Sequence, residues 1–265
     1  ESRYITQHIV TGIGHLAHLG VINLAANSDA TEMLKKAISF LDQEVKTGFE
    51  KTKKNDKDYQ KNIHLGYEEI QYLYARTYFL TNLPVSKDLD EAIGYYKTQS
   101  VTCWKSQNNY MKAMMALYLK RFGDEKTALL IMRSLKETAL HNDEMGMYWR
   151  NEQRGWNWYQ APVETQALLI EAFDEVSHDQ KSVDELKIWL LKQKQTQDWK
   201  TTKATSEAVY ALLLRGSSLL ASDKQVEILL GNEKVDPYKI DGSKPEAGTG
   251  YFKTSWDAAV IKPEM

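Results

Sequence analysis

Three histidines on one expected helix are the first residues whose spacing invites chemistry. His8, His15 and His18 stand seven and three positions apart, so they share a helix face. Imidazole is a common ligand for transition metals, yet no Cys or carboxylate joins the three locally. A closed site needs about four ligands. Histidines satisfied within the core explain the pattern better, and no metal is expected. Asp88-Leu-Asp-Glu91 offers carboxylates of the kind that hold Mg²⁺. It sits where a helix should start, and carboxylates favour that end for electrostatic reasons alone. Cys103 has only Lys105 close by in sequence, whereas a catalytic thiol needs a positive site and a base. We read it as structural, and expect no catalytic residue and no cofactor.

The densest candidate is aromatic. Tyr148, Trp149, Trp156, Trp158 and Tyr159 fall within twelve residues. Such rings in a loop would make a sugar-stacking platform, with Glu152 and Glu164 as the paired carboxylates of a glycoside hydrolase. The alternative is a plug, wide rings bracing the end of a helix assembly and burying roughly 150–250 Å² each. We favour the plug.

The elements that would position these residues follow from a helical phrase that returns five times. It reads Gln7-His-Ile-Val-Thr-Gly-Ile-Gly-His-Leu16, Tyr67-Glu-Glu-Ile-Gln-Tyr-Leu-Tyr-Ala75, Tyr110-Met-Lys-Ala-Met-Met-Ala-Leu117, Val163-Glu-Thr-Gln-Ala-Leu-Leu-Ile170 and Thr205-Ser-Glu-Ala-Val-Tyr-Ala-Leu212. Apolar residues recur at three- and four-residue steps, as in a helix packed along one stripe. Helices are expected over 3–19, 60–81, 107–121, 162–176 and 202–215. More charged ones alternate with them over 29–46, 88–101, 124–140 and 179–195. A degenerate repeat of about 40–50 residues with two helices per unit predicts two layers, the phrase-bearing helices inside. Asp29…Glu32, Asp88…Glu91 and Ser182…Glu185 fit capping boxes. Gly20, Gly123 and Gly216 suit left-handed caps. After Gly216 the pattern turns to short β-prone segments at 226–231, 251–254 and 258–261.

Composition sets outer bounds. The chain has 265 residues, with 34 Lys+Arg against 36 Asp+Glu. No segment gathers a basic footprint for nucleic acid. Lys51-Thr-Lys-Lys54, followed at once by Asp56 and Asp58, reads as a solvated loop. One cysteine excludes an internal disulfide framework. No apolar run approaches the roughly 20 residues of a membrane span, so no direct membrane insertion is expected. The chain starts at Glu1 without an initiator Met and stops just after a strand-like segment. We expect a piece of a longer protein, whose missing signals say nothing of location.

Two stretches carry a family resemblance. One is Met147-Tyr-Trp-Arg-Asn-Glu-Gln-Arg-Gly-Trp-Asn-Trp-Tyr-Gln-Ala-Pro-Val-Glu-Thr-Gln-Ala-Leu-Leu-Ile170. The other is Trp189-Leu-Leu-Lys-Gln-Lys-Gln-Thr-Gln-Asp-Trp-Lys-Thr-Thr-Lys-Ala-Thr-Ser-Glu-Ala-Val-Tyr-Ala-Leu212, in which a Trp and a Thr-x-x-Thr open an inner helix. Both resemble bacterial α2-macroglobulin-like proteins. The resemblance covers most of 1–215 and implies the thioester-containing domain, an α/α toroid. It further implies an extracytoplasmic, periplasmic location, with the parent protein tethered by lipid. The departure is that the family's Cys-x-Glu-Gln motif is missing, since Cys103 is followed by Trp104-Lys105-Ser106. No thioester residue can be assigned in this chain.

The expected architecture is therefore all-α, an α/α toroid of paired inner and outer helices over 1–216, followed by a β segment over 217–265 that begins a sandwich domain. The expected function is non-enzymatic, as part of a broad-spectrum protease trap. Its partners would be other domains of the same parent chain and target proteases. The alternative is a toroidal glycoside hydrolase or lyase using the loop 148–159.

Overall fold

A computed structural model describes residues 2–150, 162–196, 199, 201–214, 228–230 and 233–235. Helices dominate: α1 (Arg3–His18), α2 (Ser28–Asn55), α3 (Tyr67–Thr77), α4 (Asp90–Cys103), α5 (Asn109–Arg121), α6 (Glu125–Glu137), α7 (Pro162–Glu175), α8 (Gln180–Thr196) and α9 (Thr202–Leu213). β1 (Leu140–Asn142) pairs antiparallel with β2 (Gly146–Tyr148), and β3 (Ile228–Leu230) with β4 (Glu233–Val235). The class is all-α. The chain divides into Glu1–Leu214, which holds every described helix, and Arg215–Met265, which holds the β3–β4 hairpin.

Within the first unit α1 packs on α3, α3 on α5, α5 on α7 and α7 on α9. These are the helices of the repeated phrase. The alternate helices back them: α6 lies on α5, α8 on α7, and α2 against α1, α3 and α4. Burial follows the same division. Ile70–Thr77, Ala113–Leu119 and Glu164–Phe173 are unbroken buried runs. α2 buries only the stripe Leu34, Ile38, Leu41, Val45 and Phe49. A helix enclosed on all sides must be apolar around most of its girth, whereas a surface helix needs one face.

The sequence expectations miss at several ends. α2 continues nine residues past 46 and takes in Lys51–Lys54 as helix rather than loop. Val45 and Phe49 extend its buried stripe, Lys53 lies over the Phe49 ring at 5.0 Å, and its ammonium pairs with Glu91 at 2.9 Å. Lysines in a last turn are also favoured by the helix dipole. α3 starts at Tyr67, later than expected, where Gly66 N donates to Glu69 Oε2. The three expected capping boxes give way to neighbours: Asn27 caps α2, Asp179 accepts from Ser182 N ahead of α8, and no side chain caps α4. Gly20 and Gly123 do adopt φ of +71° and +92°. Gly216 and the segments 251–254 and 258–261 lie outside the described residues.

The hairpin β1–β2 is an element that the helical pattern does not predict. It seats on α8 through Gly146, where a Cβ would meet the Glu185 carbonyl oxygen at 2.1 Å. Three residues on, Trp149 is buried and donates Nε1–H to Leu135 O at 3.1 Å. Trp199 repeats the device one unit later, donating to Leu190 O at 3.2 Å. Each indole is fastened to a carbonyl of the alternate helix before it. A buried indole N–H needs such a partner.

Candidate functional site

Polar groups from five helices converge where apolar ones would be expected. Glu171 of α7 is only 1% exposed and is the hub. Tyr74 donates to its Oε2 at 2.5 Å and Tyr78 to its Oε1, the first from within α3 and the second from just past its end. Arg121 at the end of α5 donates to Glu171 Oε1 and to Glu175 Oε2, each at 2.6 Å. Its guanidinium lies over the Tyr78 ring at 4.2 Å. His15 of α1 places Nε2 3.0 Å from the Tyr74 hydroxyl and stacks flat on Tyr210 of α9, centroids 3.7 Å apart at 2°. Burial alone would push the Glu171 carboxyl up; Arg121, His15 and the two tyrosines outweigh it, and the net direction is down. The hub is a carboxylate. Burial first, then Glu171, pushes the hydroxyls of Tyr74 and Tyr78 well above the usual range. They remain donors.

A second cluster lies nearer the starts of the same helices. It comprises Tyr4 and His8 of α1, Tyr67 of α3, Tyr110 of α5, Glu164 of α7, and Lys203 and Glu207 of α9. Tyr67 and Tyr110 stack with centroids 6.4 Å apart, and Lys203 lies 5.7 Å over Tyr110. Because starts meet starts and ends meet ends, the five helices run parallel. Desolvation raises the Glu164 carboxyl and pushes that of Glu207 up to about 7; Lys203 opposes both. Desolvation, opposed by Glu207 and Glu164, also lowers Lys203. Between the clusters lies a cavity of about 10 Å³, lined by His8, Thr11, Gln71, Tyr74, Tyr110 and Glu207 among others. That is room for a single water.

No protein-family model, curated protein or solved structure matches this chain.

The residues singled out from sequence scatter. His15 is in the hub, His8 packs edge-on against Tyr4 at 4.5 Å, and His18 lies at the end of α1 beside Tyr78. They do not converge, and among the described residues no group of three or more His, Cys, Asp or Glu can hold a metal ion. Asp88 pairs with Lys46 at 2.6 Å and Glu91 with Lys53, which ties α2 to the start of α4. Cys103 is buried, its thiol pushed up by desolvation, with Gln107 Nε2 3.8 Å from Sγ. Of the aromatic loop, Tyr148 is half-buried and Trp149 buried; Glu152, Trp156, Trp158 and Tyr159 lie outside the described residues. Glu164 is buried at the second cluster.

A surface cleft of about 390 Å³ opens beside α2, with Asp42, Lys46, Arg76 and Asp88 on its walls. The Arg76 guanidinium is spoken for by Asp42 and by the carbonyls of Leu83 and Pro84. The cleft thus offers no free bidentate anchor at Arg76. No helix among the described residues is long and apolar enough to cross a membrane.

Sequence reading misses the hub because its members stand up to 195 positions apart, from His15 to Tyr210. A signal exists nonetheless. Gln7, Gln166 and Glu171 stand among the buried residues of inner helices, and each finds a partner, in Glu68 O, Met147 O and Tyr74 respectively.

Proposed function

We propose that this chain is a non-enzymatic toroid domain of a bacterial α2-macroglobulin-like protease trap, working outside the cytoplasm. A protease cuts a bait segment elsewhere in the parent protein, the parent's domains rearrange, and the toroid travels with them as one body toward the captured enzyme. The observation that carries this reading is the Glu171 hub. It joins α1, α3, α5, α7 and α9 through side chains, and the cavity beside it holds only about 10 Å³. Such a body transmits a movement without deforming, because packed cores are bistable rather than pliable. The motifs at 147–170 and 189–212 support the family, and the five parallel helices with their backing layer suit a toroid. The rival carbohydrate-active reading needs Trp rings that face solvent, and the Trp149 indole is turned inward.

The test uses the parent protein that carries this chain. Lysines of α2 and α6 are mapped by cross-linking to a protease before and after bait cleavage. Cross-links that appear only with an active protease support the trap. An unchanged map, together with retention of the parent on an immobilised glycan, would sink it and promote the rival.

A further inference from the structure

The hydrogen-bond network constrains the protons of the hub. Glu171 is ionised and accepts from Tyr74 and Tyr78, whose oxygens also lie 2.7 Å apart, so neither hydroxyl has a proton to spare for His15 or Tyr210. The Tyr74 oxygen, 3.0 Å from His15 Nε2, must then accept, and His15 is neutral with its proton on Nε2. By the same count the Tyr210 hydroxyl, 3.4 Å from that of Tyr78, points its proton at Tyr78. Donors thus cascade inward from α1 and α9 to Glu171. One acceptor is left at the outer end: the Nδ1 lone pair of His15, on a side chain 9% exposed. Facing it at 3.8 Å is Oε2 of Glu207, whose side chain is 20% exposed.

We propose that Glu207 and His15 form a proton-sharing clasp between α9 and α1, in which a carboxylic-acid proton on Glu207 is directed at Nδ1 of His15, and that loss of this proton loosens the seam between the two helices. An ionised carboxylate facing a lone pair is repulsive; an O–H facing it is a hydrogen bond. At 3.8 Å the two atoms are beyond hydrogen-bond reach, and the clasp requires a small rotation of Glu207 to close the gap. The seam depends on such side-chain contacts, of which the stacking of His15 on Tyr210 is another.

The surroundings favour the acid form. From α1 Glu207 meets His8 and His15, from α3 Tyr67 and Tyr74, from α5 Tyr110, from α7 Glu164 and Glu171, and on its own helix Lys203. His15 in turn senses Arg121 and His18. Lys203 favours ionisation, but desolvation and the two neighbouring carboxylates prevail, and Glu207 titrates at about 7. His15 is held near 4 and stays neutral above that range. A carboxyl raised in the fold holds its proton where the unfolded chain has lost it. The clasp therefore stabilises at low pH, and its contribution is lost as pH rises from the ordinary carboxyl range through about 7. It stands on side chains alone, whatever task the domain performs.

Imidazole nitrogen NMR of the labelled full chain from pH 5 to 9 decides the matter. We expect His15 to keep the Nε2–H tautomer, with its Nδ1 resonance stepping once near pH 7. In Glu207→Gln the tautomer should persist and the step vanish, because an amide N–H donates at every pH. The melting temperature of that variant relative to wild type should also rise by roughly 5 °C between pH 5.5 and 8.5. Simultaneous titration of both His15 nitrogens, a flat Nδ1 resonance in the wild type, or a step unchanged in Glu207→Gln would each overturn the clasp. The wild-type spectra suffice even if the variant does not fold.

Discussion

A Cβ on Gly14 would lie 2.7 Å from Cγ of Tyr78, so α1 approaches the end of α3 at a distance that only glycine permits. Tyr78 cannot step aside, because its hydroxyl is held by Glu171 and its ring is covered by Arg121. Gly14→Ala should therefore lose about 1–3 kcal/mol to overpacking, against at most about 1 kcal/mol gained in helix propensity. Gly12, two positions earlier and on another face of α1, has open space where its Cβ would stand, with nothing within 4 Å. Gly12→Ala should stabilise by about 0.5–1 kcal/mol. Urea unfolding of the two variants gives the answer; equal stabilities would mean that the contact is not the constraint.

Arg121 joins two carboxylates of α7 to the end of α5. Removing it strands the charge on Glu171, which is almost wholly buried. Arg121→Ala is expected to cost about 3–5 kcal/mol, and the pair Arg121→Met with Glu171→Gln less, since the expense lies in the uncompensated charge and the amide oxygen still accepts from a tyrosine hydroxyl. Denaturant midpoints of the single and double variants test this. A double variant no better than the single would refer the loss to packing instead.

The helices are legible because a helix that buries one stripe writes that stripe every 3.6 residues. Leu34, Ile38, Leu41, Val45 and Phe49 are an example, and the same stripe followed for one more turn carries α2 past Lys46. Charge at Lys51–Lys54 masks it, since lysines on the open side of a helix and lysines in a loop look alike. The β1–β2 hairpin is illegible for another reason: Leu140–Asn142 is exposed throughout and only three residues long, so it has no alternation to read. The hub lies further out of reach. Tyr74, Arg121, Glu171 and Tyr210 are each inconspicuous within their own helices, and only the fold brings them together. The aromatic loop stands out in the sequence because its rings are contiguous, whereas the polar groups that the core has to satisfy stand singly in apolar phrases.

His8 and His15 are both lowered from 6.5 to about 4, chiefly by burial, with Lys203 adding to the effect on His8. They are neutral in the fold and take up protons on unfolding between those values. Stability they confer is complete above about pH 6.5 and is lost as pH falls toward 4. Glu207 works in the opposite sense over part of this range, so the measurement is a difference. The deficit in melting temperature of His8→Gln relative to wild type should shrink between pH 7 and pH 5. A deficit that holds constant would show that His8 titrates in the fold as it does in the unfolded chain.

Trp149 is the described member of the aromatic loop on which plug and platform can be told apart. Its ring is buried, and its Nε1–H closes on Leu135 O and Thr138 Oγ1 near the end of α6. Trp149→Ala removes that ring and leaves the Leu135 carbonyl without its indole donor, a loss of about 3–5 kcal/mol by analogy with other buried aromatic truncations. Trp149→Phe keeps most of the volume and forfeits the hydrogen bond, and should cost about 1–3 kcal/mol. A sugar platform would behave in the reverse way, with stability nearly untouched and glycan retention abolished. Thermal melts of both variants beside a glycan-array screen of the wild type separate the two. We expect graded losses of stability, larger for Ala than for Phe, and an array without signal; full stability in Trp149→Ala with glycan binding in the wild type would hand the loop to the carbohydrate reading.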